Sequence, residues 1–267
     1  MSRIHLVYGE AGTGKTTYAL SGEGPVDYYE FDAGSYERAA AGMNISTDVR
    51  VHRYYSPLTN ILAQGRLSVG ERGGIAPSAV HRLTGWKELF WQFVEDYLKN
   101  LDGDGRPVFD TETKMWLLIR QAFLQEVQDA AGPERERLDQ LQYTEPNARH
   151  SQIIEAAKIK GKGLVMLAHQ KELFVNDKGS GQLVMDGYKE APNMADCTLR
   201  FTLRNKAPTA TIIKAGAGGL ELIGMELTAP TMGRVNELLS AAEAIRRAGM
   251  IMPESADEII ETAMQIA

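Results

Sequence analysis

Apolar and polar positions follow two rhythms along this chain. Short apolar runs are closed by Gly, Pro or acidic residues, and longer stretches carry apolar residues at i, i+3, i+4 and i+7. The first rhythm marks strands and the second helices. Ile4 to Tyr8, Val26 to Asp32, Asp48 to Tyr55, Pro107 to Asp110 and Gly163 to Gln170 read as strands. The last is buried on both faces, because its run Leu164 to Ala168 has no polar break. Trp86, Leu89, Phe90, Phe93, Val94, Tyr97 and Leu98 keep helical spacing, which predicts a long amphipathic helix with its aromatic stripe in the core. Further helices are expected over 17–20, 35–41, 115–127, 152–159, 234–248 and 256–266. The last opens on Ser255-Ala256-Asp257-Glu258, a capping box. Thr198 to Leu203, Thr209 to Lys214 and Glu221 to Leu227 read as late strands. Residues 64–84 read as an irregular insert, 132–147 as a polar and mobile segment, and 171–193 as a polar loop. Strand and helix alternate through most of the length, so an α/β fold is expected, with a mainly parallel sheet, helices on both faces and a β-rich C-terminal part. The expected division is a core over 1–233 and a helical tail over 234–267.

Composition narrows the function classes. With 43% hydrophobic and 24% charged residues, the 267-residue chain has the make-up of a soluble protein with a proper core. Its net charge of −6 argues against coating nucleic acid through overall basicity. A local patch remains open, because Arg149, Lys158, Lys160, Lys162 and Lys171 are opposed by Glu155 alone; the same run also reads as a solvated helix face. The single cysteine, Cys197, leaves no intramolecular disulfide or thiolate metal cluster and reads as a small core residue. No apolar run approaches membrane-spanning length and no leader pattern precedes the first strand, so a cytoplasmic protein is expected.

The chemistry starts where the first strand ends. Gly9-Glu10-Ala11-Gly12-Thr13-Gly14-Lys15-Thr16 fits G-x-x-x-x-G-K-[ST] at every fixed position, after a strand and before a helix beginning at Thr17. Glycines let such a loop turn tightly and expose its backbone N–H groups to phosphate. Lys15 supplies a charge for the terminal phosphates and Thr16 a hydroxyl for Mg²⁺, with the helix adding its positive end. ATP and Mg²⁺ are therefore the expected cofactors, held by Gly9, Glu10, Ala11, Gly12, Thr13, Gly14, Lys15, Thr16 and Thr17. Ligand groups in α/β sheets gather at the carboxyl ends of strands, and four such ends carry candidates. Asp110 reads as a second metal-associated carboxylate or as a helix N-cap. Asp32 and Glu30 read as water-activating carboxylates or as caps. Gln170, beside His169, is suited to sensing the γ-phosphate and passing the signal to the loop after it. Lys214 ends a late strand.

The order of these elements resembles the RecA-like ATPase core, in particular the reduced, phage-encoded RecA-like ATPases of recombination and single-strand annealing. The resemblance rests on Gly9 to Thr16, Tyr28 to Asp32, Val108 to Thr111, Leu164 to Gln170 and Thr211 to Lys214, and it spans roughly 1–235. It implies ATP hydrolysis, contact with single-stranded DNA and a homo-oligomer. It also implies that Asp32, with Glu30 behind it, is the catalytic carboxylate, and that Lys214 reaches the γ-phosphate of a neighbouring subunit. The short aspartate strand, the Pro107 within it and the lack of a separate N-terminal oligomerisation module depart from that pattern. A small-molecule or nucleoside kinase is the alternative; its lid would draw on Arg135, Arg137 and Arg149. A slow, nucleotide-dependent assembly or packaging component is a third reading.

Overall fold

The computed structural model describes residues 2–42, 48–57, 83–132, 137–175, 178–216 and 219–266. The expected insert at 64–84 lies almost wholly outside them, as does Arg135. Nine strands form one sheet: β1 (Ile4–Gly9), β2 (Val26–Glu30), β3 (Val49–Arg53), β4 (Arg106–Asp110), β5 (Leu164–Val175), β6 (Lys178–Asp186), β7 (Cys197–Arg204), β8 (Ala207–Ala215) and β9 (Glu226–Thr228). Their order is β3-β2-β4-β5-β1-β7-β8-β9, with β6 hanging on β5. The pairs from β3 to β7 are parallel, whereas β8, β9 and β6 join antiparallel. The fold class expected from the sequence, an α/β fold with a mainly parallel sheet, helices on both faces and a β-rich C-terminal part, is the one observed.

Period-two alternation sorts the strand residues onto two cores. Val7, Val26, Tyr28, Val108, Val165 and Leu167 face one side; Leu6, Tyr29, Phe109, Met166 and Ala168 face the other. The first side is covered by α1 (Lys15–Leu20) and by two late helices, which bury Val235, Leu238, Ile245, Ile259 and Ile260. The second is covered by α3 (Trp86–Asn100), α4 (Glu112–Ala131) and α5 (Thr144–Ile159). A short α2 (Ser35–Ala40) follows β2, α6 (Ala191–Met194) precedes β7, and α7 (Met232–Arg247) and α8 (Ala256–Ile266) are the two late helices. The predicted aromatic stripe is core: Phe90, Phe93 and Tyr97 of α3 are buried, each worth about 1.5–3 kcal/mol of apolar burial. Among the described residues no helix is long and apolar enough to cross a membrane.

A histidine sits inside the first core. His5 of β1 is fully buried, with Nδ1 2.7 Å from the Tyr18 hydroxyl and Nε2 3.0 Å from Asn236 Oδ1. That pairing suits a neutral ring whose Nε2–H donates to Asn236 while Nδ1 accepts from Tyr18. Burial pulls its pKa from 6.5 to about 4.

Three local expectations are corrected. The segment 171–193 is not a loop: β5 continues to Val175 and turns back as β6, a hairpin leaving the carboxyl end of the sheet. Its residues read as loop because they have no core to face; Phe174 is 65% exposed. Residues 144–147, expected to be mobile, open α5 instead. Leu220–Leu222 forms a 3-10 turn, and the strand expected over Glu221 to Leu227 is replaced by the shorter β9, Glu226–Thr228.

Candidate nucleotide site

The glycine loop lies between β1 and α1, at the carboxyl pole of the parallel strands. Gly14 caps α1 in a left-handed conformation (φ +93°), which a Cβ would strain. Gly9 runs so close to β7 that a Cβ would lie 2.3 Å from the Phe201 carbonyl oxygen. Lys15 is only 8% exposed, and its ammonium donates to the Gly9 and Glu10 carbonyls at 2.9 and 2.6 Å. Burial lowers its pKa, against the pull of Asp110 and Glu10. Thr17, by contrast, faces solvent.

The four strand ends singled out in the sequence do not all meet here. Asp110, buried at the end of β4, accepts a hydrogen bond from the Thr16 hydroxyl at 3.1 Å and another from the Tyr28 hydroxyl. Burial raises its pKa, and the hydrogen bonds from Tyr28 and Thr16, together with the Lys15 charge, oppose that rise. The N-cap reading belongs to Thr111, whose side chain accepts from the Lys114 N–H. Asp32 follows directly: its N–H, like that of Phe31, donates to the Asp110 carbonyl, and its carboxylate stands 3.8 Å from His169 Nε2. Gln170 donates to Glu10 of the loop at 3.2 Å, while its Oε1 is buried without a partner. Three strand ends and the loop thus converge.

Glu30 and Lys214 are placed otherwise. Glu30 is fully buried and accepts from Ser35 Oγ (3.1 Å), the Tyr36 N–H (2.9 Å) and the Tyr55 hydroxyl, with Arg53 Nε 3.3 Å away. That shell fastens α2 and the end of β3 to β2. Lys214 sits at the opposite pole. Because β8 runs antiparallel to β7, its end is level with Thr198 and hence with Leu6, and its ammonium donates to the Pro192, Asn193 and Ala195 carbonyls. The end of the β7–β8 hairpin near the loop carries Arg200, Arg204 and Lys206 instead, with Arg204 paired to Glu226.

The run from Arg149 to Lys171 does not form one patch, because a helix and a strand of opposite direction spread it over the molecule. Arg149 is paired with Glu126 and Glu145 and lies over Phe90, Trp91 and Phe123. Lys158 donates to the Met194 carbonyl, Lys160 to Asp102 and Lys162 to the Gly103 carbonyl, whereas Lys171 pairs with Asp186 on the hairpin.

Sequence reasoning missed one residue of the site and one residue outside it. Tyr28 reads as one aromatic in a strand of aromatics; only its two-residue offset from Glu30 puts it on the face where Asp110 lies. Thr113 lies outside the site, at the base of the hairpin. Its hydroxyl accepts from the His169 N–H at 3.0 Å and donates to the Asp186 carbonyl.

No protein-family model matches the chain, and no curated protein matches it by sequence. Among solved structures, the RadB recombinase is similar at 14% identity and a TM-score of 0.47, with 85% of this chain and 86% of that one covered. The flagellar accessory protein FlaH from Methanocaldococcus jannaschii is similar at 11% identity and a TM-score of 0.41, covering 80% of this chain and 79% of that one.

Proposed function

We propose that the chain binds ATP at the loop Gly9 to Thr17, hydrolyses it, and uses the cycle to act on single-stranded DNA in the cytoplasm, in recombination, annealing or replication of the phage-encoded type it resembles. The observation that carries the nucleotide reading is the 3.1 Å contact between Thr16 and Asp110. It brings the hydroxyl of the motif and a buried strand-end carboxylate together from 94 residues apart. A hydroxyl and a carboxylate beside a lysine fit Mg²⁺, a hard cation that takes oxygen ligands and keeps waters and phosphates in its shell. Thr16 and Asp110 are the residues that would hold it, and the ion would supply charge against the phosphate oxygens. Lys15 exchanges its loop carbonyls for the terminal phosphate. Asp32, which is partly exposed and next to the Asp110 backbone, orients and deprotonates the attacking water. Gln170 reports the γ-phosphate.

DNA contact is assigned to the hairpin side rather than to the dispersed lysines. A cleft of about 440 Å³ beside the hairpin base is lined by Trp116, Tyr143, Tyr188 and Lys189. Phe174 and Lys178 are exposed on the hairpin itself. Aromatic faces with nearby cations suit unpaired bases and their phosphates, at about 1–3 kcal/mol per stacked base. Against the kinase reading, Arg149 is committed to Glu126 and Glu145. The test is Mg²⁺-dependent release of phosphate from ATP with and without single-stranded DNA. Faster release with the polymer is expected; phosphate transferred to an added nucleoside would replace this reading with the kinase.

A further inference from the structure

One hydroxyl, three residues beyond Asp110, holds both strands of the hairpin at its base. Thr113 Oγ1 accepts from the His169 N–H and donates to the Asp186 carbonyl, and His169 and Asp186 are register partners across β5 and β6. The flanking residues strengthen the same joint. Glu112, fully buried, accepts from the Tyr188 N–H at 3.0 Å and faces His150 Nε2 at 2.8 Å, so the chain leaving β6 is tied to α4 as well. On the other side of the joint, Gln170 meets Glu10 and His169 faces Asp32.

We propose that Thr113 is a positioning residue that couples the metal-bearing end of β4 to the hairpin, so that nucleotide binding and polymer binding are felt at each other's site. This rests on the nucleotide reading above. The mechanical reason is the short path. Thr113 lies in the first turn of the helix that Asp110 and Thr111 lead into, so a shift of the β4 end on filling the nucleotide site carries the hydroxyl with it. Two hydrogen bonds then pass the shift to both hairpin strands together, rather than shearing one past the other. Gln170 belongs to β5 itself, and its side chain reaches the loop at Glu10 rather than bridging the two hairpin strands.

The test uses the full chain with Thr113→Val, which keeps the shape and loses both hydrogen bonds, and Thr113→Ser, which keeps the hydroxyl. Amide hydrogen exchange over 169–172 and 184–188 is measured with and without Mg²⁺ and ATP, alongside turnover with and without single-stranded DNA. In the wild type and in Thr113→Ser, ATP slows exchange over both stretches and DNA accelerates turnover. In Thr113→Val, basal turnover stays within about twofold of wild type, while the exchange response and the DNA acceleration are lost together. A coupling carried by the Thr113 hydroxyl predicts both losses, and a purely structural role would lower stability without removing either. A response that survives in Thr113→Val, or that is lost equally in Thr113→Ser, overturns the proposal. Failure of the wild type to bind ATP would overturn the nucleotide reading instead, and calorimetric titration with ATP separates the two.

Discussion

Acid should destabilise this protein through His5 before most carboxylates titrate. The ring is fully buried between Tyr18 and Asn236, and a proton on Nδ1 would displace the hydrogen bond that the Tyr18 hydroxyl donates and place a charge in an apolar core. Burial is the largest cause of its pKa near 4, while an unfolded histidine titrates near 6.5. Above that higher value neither state holds the proton and His5 adds no pH dependence. Between the two values the unfolded chain takes up a proton that the folded chain refuses, so stability falls as pH falls. Below the lower value both states are protonated and the loss is complete. The loss amounts to about 2 kcal/mol at about pH 5 and about 3 kcal/mol in full. Asp110 works in the opposite sense, because a carboxyl whose pKa is raised by burial gains a proton more readily when folded. The measurement is therefore a difference: urea unfolding of wild type and His5→Gln in steps from about pH 8 to pH 5. The variant carries a constant offset from lost packing but no titration at this position, so the wild type should lose about 2 kcal/mol more than the variant. Curves that stay parallel over this range would refute the buried, neutral ring.

Lys15→Ala should weaken ATP binding at least about tenfold in calorimetric titration with little change in thermal unfolding, because an ammonium leaves the loop without opening the core. Asp32→Asn should bind ATP as wild type yet hydrolyse it about 10²-fold more slowly, because the amide keeps the shape and loses the basicity. Tyr28→Phe removes a donor from the buried Asp110 carboxylate and should cost about 1.5–3 kcal/mol of stability. Part of that cost should return when Mg²⁺ and ATP are added, as read by denaturant midpoints. Gly187→Ala would place a methyl 1.8 Å from Glu112 Oε2. With His150 behind that carboxylate, a loss of about 1–3 kcal/mol is expected in urea unfolding.

The sheet and the loop were legible because both are written locally. Leu164 to Ala168 is an unbroken apolar run, and the glycine spacing of 9–16 has one geometric use. Asp110 was legible for a similar reason, a charge closing an apolar strand. Lys214 was not, because an apolar run carries no direction. The turn at Asn205 and Lys206, both with positive φ (50° and 67°), reverses the chain and sends the end of β8 away from the loop. Asn at such a turn is a recognisable signal, but Lys in the second place hides it. The hairpin β5–β6 was missed for a related reason. Period-two alternation reports burial on one face, and strands that leave the sheet bury little on either, so Lys171 to Val175 and Lys178 to Gln182 show no pattern to read. The dispersal of the basic run follows from crossover topology, which composition does not encode.

The strand bearing the glycine loop is the first to be made and among the last to find its partners. β1 pairs with Leu164 to Ala168 on one side and with Cys197 to Phe201 on the other, and among the described residues none of its sheet partners lies closer in sequence. At about 5–20 residues per second of synthesis, the ribosome needs on the order of 10–40 s to deliver both. During that interval an apolar segment has both edges open, and β4 lacks its own β5 partner. Newly made chains should therefore depend on holding chaperones more than their size suggests. The ability to bind nucleotide should appear late and abruptly in a series of chains stalled at increasing length, only once residues beyond 201 have emerged.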